Sequence, residues 1–198
     1  MKAATRIIGL AGPRGSGKGT VYNILQAKHG ALEFAFATPL KTALCCVLGK
    51  DIAWLECNKD KIVSLHGQDL DLRQLMLDAG DFWRARDDGV FVNRLVDQVL
   101  KRVQDSPGAI IVITDVRRPP EADAVRQMKG EMWHIRRHGT GQGPHDDHEV
   151  EHYFDDLIQI GDRFIQNGTL EVLAANVDAA FARSANVDTV FSRLDATA

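Results

Sequence analysis

Apolar and polar positions along the chain switch between two periods, and the switches mark the elements. The run Ile7-Ile8-Gly9-Leu10-Ala11 reads as a buried strand. Beyond Thr20, a pattern with Val21, Ile24, Leu25 and Lys28 on one side has helical spacing. Leu32 to Ala37 alternates weakly and predicts a short strand. Pro39 stands near the start of a helix through Leu40, Leu44 and Val47 that stops at Gly49. Asp51 to Gln68 mixes charge with isolated apolar residues and predicts no single element. A helix from Asp69 to Ala79 carries Leu72, Leu75 and Met76 and ends at Gly80, and Asp81 to Gly89 reads as an irregular charged connection. Phe91, Leu95, Val96, Val99, Leu100 and Val103 then form a clear helical stripe, broken at Ser106-Pro107-Gly108.

The second half repeats the alternation. Ala109-Ile110-Ile111-Val112-Ile113 is a continuous, largely β-branched run, as in strands covered on both faces. Pro119-Pro120-Glu121 opens a helix ending near Gly130, and Met132 to Ile135 reads as a strand. Gly139 to Pro144 reads as a loop and a polar helix follows from about Asp147. Phe164-Ile165 is a last short strand, Asn167-Gly168 a turn, and Leu170, Leu173, Val177 and Phe181 mark a final amphipathic helix. Past Ala185 only Val187, Val190, Phe191 and Leu194 form a weak pattern. Strands alternating with helices predict an α/β fold: a mostly parallel sheet with helices on both faces, a three-layer sandwich. With no internal repeat or linker, the 198 residues are expected to form one domain.

Composition changes this picture little. The net charge is −3, from 24 Lys and Arg against 27 Asp and Glu, which points away from a general nucleic-acid or membrane binder. Cys45, Cys46 and Cys57 form no Cys-x-x-Cys pair, which fits free thiols in a reducing compartment. The first apolar run is broken by Gly9 and Gly12, unlike a signal sequence or a membrane span, so a cytoplasmic protein is expected.

The chemistry concentrates in Gly12-Pro13-Arg14-Gly15-Ser16-Gly17-Lys18-Gly19-Thr20. It sits between the first strand and the first helix, the context a phosphate-binding loop requires. Glycines there let backbone N–H groups cradle phosphate oxygens, the helix N-terminus adds its positive dipole, and Lys18 supplies a mobile cation. Gly19 stands where the common pattern has Ser or Thr, and Thr20 comes next. Asp115, at the end of the buried strand, suits a magnesium site; its alternative role is to cap the following turn. Arg117 and Arg118 suit phosphate clamps or a solvated surface pair. Arg73, Arg84 and Arg86 offer further cations, though the acids around them, from Asp69 to Asp88, could simply pair with them. Trp83 and Phe91 could stack on a base or pack in a core.

Taken together, Gly12–Thr20, Phe36-Ala37-Thr38-Pro39-Leu40-Lys41, Arg73-Gln74-Leu75-Met76 with Gly80 and Trp83, and Phe91-Val92-Asn93-Arg94-Leu95 make an ordered set. It continues through Asp115-Val116-Arg117 with Glu121-Ala122, His148 with Glu151, and Asn167-Gly168-Thr169-Leu170-Glu171. This set resembles the bacteriophage-type deoxynucleoside monophosphate kinases over most of the chain. The resemblance implies a P-loop kinase domain with a nucleotide-binding insertion at about 38–94 and a lid-like segment at about 137–158. It implies transfer of the γ-phosphate of ATP to a (deoxy)nucleoside monophosphate with Mg²⁺. Gly12, Arg14, Gly15, Ser16, Gly17, Lys18, Gly19 and Thr20 would bind ATP, and Thr20 and Asp115 the metal. Lys41, Arg73, Trp83, Arg84, Arg86, Arg117, His148 and Glu151 would contact the acceptor, with Lys18, Asp115, Arg73 and Arg117 catalytic. The partners implied are small nucleotides, not nucleic acid or membrane; the apolar stripe 91–103 leaves a homodimer open.

The chain departs from the family pattern at His148-Glu149-Val150-Glu151, where a Ser is replaced, and at Trp83-Arg84-Ala85-Arg86, where a Trp-Gly-Arg-like piece is altered. Asp115-Val116-Arg117-Arg118 also resembles animal-type phosphomevalonate kinases. Two readings come from other classes. His148-Glu149-Val150-Glu151-His152 matches the His-Glu-x-x-His zinc-protease motif, with Glu171 as a conceivable third ligand, although Asp155 stands where the extended motif has Gly. The missing Ser/Thr after Lys18 would suit a nucleotide-binding protein without turnover.

Overall fold

The computed structural model describes residues 5–65, 67–138 and 156–183. The chain divides into two compact units, one of residues 1–34 and 99–198 and the other of residues 35–98.

The first unit is built on a sheet whose described strands are all parallel, in the order β2-β5-β1-β6-β7. These are β1 (Arg6–Ala11), β2 (Leu32–Phe34), β5 (Ile110–Val116), β6 (Glu131–Arg137) and β7 (Arg163–Asn167). β1 lies at the centre, with Ile8 opposite Val112 of β5 and Leu10 opposite Trp133 of β6. Ile111, Val112 and Ile113 have no solvent exposure, as their run of branched side chains implied. Helices α1 (Lys18–His29) and α7 (Leu170–Arg183) cover one face: Val21, Leu25, Leu173 and Val177 share a core with Ile8, Leu10, Trp133 and Ile135. Helix α6 (Pro119–Gln127) covers the other, with Val125 against Gly9 and Ile7 against Gly130. The expected three-layer α/β sandwich is therefore the fold. Between the pairs Gly9–Ile113 and Ala11–Val116, β5 has one residue more than β1. That irregularity falls in the stretch carrying Asp115, and such bulges re-aim side chains beside functional sites.

The second unit contains α2 (Thr38–Leu48), α3 (Ile52–Asn58), a hairpin of β3 (Ile62–Leu65) and β4 (Gln68–Asp71), and α4 (Leu72–Arg84). Helix α5 (Val90–Asp105) begins in this unit and ends in the first. Cys45, Leu55 and Leu72 form its small core, against which Trp54, Val63, Leu75 and Met76 pack. Asp51 caps α3 by accepting from Trp54 N at 2.6 Å, and Asp71 caps α4 by accepting from Arg73 N and Gln74 N at 3.0 Å each.

Several boundaries differ from the sequence reading. Asp51 to Gln68, expected to form no single element, folds as α3, β3 and the start of β4, and Asp69 to Asp71, expected to open a helix, complete β4, so that α4 starts at Leu72 under the Asp71 cap. Helix α4 does not stop at Gly80 but runs to Arg84, because the Gly80 backbone is buried in the helix and Phe82 to Arg84 complete another turn. Residues 81–84 are thus helix, not an irregular connection. The strand expected at Leu32–Ala37 ends at Phe34, and β5 extends past Ile113 to Val116. The loop at 139–144, the helix from about Asp147 and the tail pattern past Ala185 lie outside the described residues. Among the described residues, no helix is long and apolar enough to cross a membrane.

Candidate active site

The loop between β1 and α1 adopts a conformation few side chains could follow. Gly12 has φ +145° and Gly17 φ +104°. A Cβ on Gly12 would run into the Ile135 carbonyl and, at 2.9 Å, Ser16 Oγ; one on Gly17 would collide with the side-chain amide of Asn167. Ser16 is fully buried, and its Oγ has no hydrogen-bond partner. Helix α1 starts at Lys18 with Gly17 as N-cap and no capping side chain. Its first-turn N–H groups thus have no side chain of the cap bonded to them, the arrangement that receives an anion. Thr20 lies half-buried in that first turn.

Lys18 lies back along the loop, donating from Nζ to the carbonyls of Gly12 at 2.5 Å and Pro13 at 2.9 Å. Burial, and then the neighbouring Arg117, lower its pKa to about 7 against the opposing pull of Asp115. The fold therefore brings Lys18, Asp115 and Arg117 into one electrostatic cluster at the C-terminal end of the sheet. Glu121, in the first turn of α6, buttresses it: Oε2 accepts from Arg117 N at 2.7 Å and Arg118 N at 3.1 Å. Burial and the charge of Asp115 raise the Glu121 carboxyl to about 7, although those two N–H groups favour its ionised form.

Lys41, Arg73, Arg84 and Arg86 lie in the second unit, each already engaged there. Lys41 Nζ donates to Glu56 at 2.7 Å, and Lys59 donates to the other carboxylate oxygen. Burial pushes the Glu56 carboxyl up, but the two lysines outweigh it and hold it at about 2. Arg73 grips Asp60 through Nε at 2.7 Å and Nη2 at 2.5 Å. Its partner is thus a residue of the stretch that had no assigned element, not one of the acids between Asp69 and Asp88. Arg84 pairs with Asp81 at 2.7 Å and lies over the Phe91 ring at 5.7 Å. Arg86 stacks on exposed Phe82 at 3.5 Å, and Phe82 meets half-exposed Trp83 edge to face. His148 and Glu151, with the whole His-Glu-x-x-His motif, lie outside the described residues.

Fold and loop together define a three-layer α/β protein with a glycine-rich loop between its central strand and first helix, a fold shared with solved kinases. Dephospho-CoA kinase from Campylobacter jejuni superposes with a TM-score of 0.53 at 6% identity, over 93% of this chain and 99% of that one. Shikimate kinase from Acinetobacter baumannii gives 0.41 at 14% identity, over 90% and 94%. In sequence, a protein of Acanthamoeba polyphaga mimivirus, provisionally named deoxynucleotide monophosphate kinase, is 29% identical over 161 residues, or 73% of this chain and 81% of that protein. No protein-family model matches.

Sequence reasoning missed the supporting residues: Asn167 against the loop, Glu121 under Arg117, and Glu56 and Asp60 on Lys41 and Arg73. Asn167 and Glu121 stood in the family-like set without a role; nothing in the sequence singled out Glu56 or Asp60.

Proposed function

We propose that the chain transfers the γ-phosphate of ATP to a (deoxy)nucleoside monophosphate, with a deoxynucleotide as preferred acceptor. What carries the reading is the convergence of Lys18, Asp115 and Arg117 on the glycine loop in a chain similar to the mimivirus protein. Phosphoryl transfer needs no side-chain nucleophile; positioning and charge stabilisation supply the catalysis. The loop amides and Lys18 hold the donor phosphates. Lys18 sits where its charge is disfavoured until an anion arrives, so polyphosphate entry restores the ammonium and strengthens its grip. Asp115 and Thr20 are hard oxygen donors of the kind Mg²⁺ takes, and they fit it; the ion would offset charge on the phosphate oxygens. Arg117 neutralises the transferring group. In the second unit, Lys41 and Arg73 provide cations for the acceptor phosphate, and Trp83, Arg84 and Arg86 a stacking and pairing surface for the rest of the nucleotide. Residues 35–98 thereby serve as the acceptor-binding insertion.

The test is ADP release from ATP and Mg²⁺ with a panel of deoxy- and ribonucleoside monophosphates and phosphomevalonate, with and without a chelator. Turnover on one or more deoxynucleotides, abolished by chelation, is expected. Turnover on phosphomevalonate alone would replace the acceptor, and ATP binding without turnover would leave a binding protein.

A further inference from the structure

Asn167 is the last residue of edge strand β7, in register with Arg137 of β6. It is buried, and its Nδ2 donates to the main-chain carbonyl of Ser16 at 2.7 Å, across 151 positions of sequence. The same nitrogen fills the space a Cβ on Gly17 would occupy, and Leu173 of α7 lies 4.0 Å from that point. The Ser16 carbonyl and the Gly17 N–H belong to one planar trans peptide, so they point in opposite directions. Fixing the carbonyl from behind therefore aims the N–H away from Asn167. The bond is made in a buried setting, where losing the donor leaves the carbonyl desolvated and unpaired.

We propose that Asn167 is a positioning residue of the phosphate-binding loop: by holding the Ser16 carbonyl it presents the Gly17 N–H, and the first turn of α1 behind it, to a bound polyphosphate. Gly17 then has a second reason to lack a side chain beyond its backbone angle, because the brace occupies that space. The proposal rests on reading Gly12–Thr20 as the donor-phosphate site.

The experiment is calorimetric titration of the full chain with MgATP and, as a probe without base or sugar, with inorganic tripolyphosphate. Wild type is compared with Asn167→Asp, which keeps the shape but cannot donate, and Asn167→Ser, which is too short to reach. Both variants are expected to lose about tenfold or more in affinity for each probe, the scale of one buried hydrogen bond. KM for ATP should rise in step while KM for the acceptor holds, and Asn167→Gln, with a donor on a longer arm, should recover part of the loss. Wild-type affinity in both Asp and Ser variants would overturn the proposal. So would an equal loss for donor and acceptor, since that is what a purely structural residue produces. If Asn167→Asp does not fold, Asn167→Ser decides. Failure of the wild type to bind either probe would instead refute the donor-site reading itself.

Discussion

Replacing Lys18 by Met should abolish turnover and, unusually for an active-site change, strengthen the fold. The Lys18 ammonium is bound to two loop carbonyls, yet burial and Arg117 lower its pKa from 10.5 to about 7. Between those values the unfolded chain holds a proton that the folded chain has released, so wild-type stability rises with pH across that window. At pH 7 the linkage amounts to about 4 kcal/mol against folding, and at pH 9 to about 2 kcal/mol. Solvent reaching a half-buried group reduces both. Methionine keeps the apolar stem and removes the charge. Lys18→Met is therefore expected to be more stable by about 2–4 kcal/mol at pH 7, with the gap roughly halved at pH 9. Urea unfolding followed by circular dichroism at the two pH values measures this, and the same samples with MgATP should show stabilisation of the wild type alone. A variant no more stable than wild type at pH 7, or a gap that does not shrink with pH, would refute the argument that Lys18 is held uncomfortably in wait for an anion.

Glu121→Gln keeps an oxygen to accept from Arg117 and Arg118 but removes the charge beside Asp115. Because the folded-state pKa is raised from 4.5 to about 7, wild-type stability falls as pH rises through that interval, so the Gln variant should gain about 1–3 kcal/mol on wild type between pH 5 and 7.5; parallel unfolding profiles would count against it. Asp60→Asn keeps the oxygen that both Arg73 nitrogens meet but removes its charge, loosening Arg73, and should raise the acceptor KM roughly tenfold while the ATP KM stays within about twofold. An unchanged acceptor KM would refute the role of Asp60 in positioning Arg73 for the acceptor. A Cβ in Gly80→Ala meets first the far end of the Arg84 side chain, at 2.8 Å, and if that guanidinium gives way from Asp81 the helix should gain about 0.5–1 kcal/mol in thermal unfolding. A net loss there would mean that Arg84 cannot move.

The parts of the fold that could be read in the sequence are those where one local pattern meets one environment. Ile110–Ile113 is apolar on every residue because helices cover both sides of the sheet, so its run is unmistakable. The glycine loop announces itself because its backbone angles exclude most side chains. The stretch 51–68 was opaque for the opposite reason. Helix α3 spans only Ile52–Asn58 and buries Leu55 alone completely, while the hairpin strand carrying Ile62 leaves that residue exposed, so neither shows a periodicity. Gly80 looked like a stop because the same residue type ends helices elsewhere in the chain, at Gly30 and Gly49. In the candidate site, Lys18 and Asp115 stood out from their place next to a loop and at a strand end, and the fold brings them together. Asn167, Glu121 and Asp60 did not stand out, since what each does depends on a neighbour that only the folded chain supplies.

The central position of β1 has a consequence for how the molecule comes to exist. The first strand of the chain pairs with two strands that begin at Ile110 and Glu131, so its hydrogen-bond partners are more than a hundred residues away. During synthesis, Gly12–Thr20 leaves the ribosome early but has nothing to be shaped against. Residues 35–98, with their own core, can collapse first, whereas the loop must wait for β6 to supply Ile135 and for β7 to supply Asn167. Assembly of the glycine loop is thus a late, long-range event. A nascent chain truncated before Arg163 should carry the whole glycine motif and still grip no phosphate.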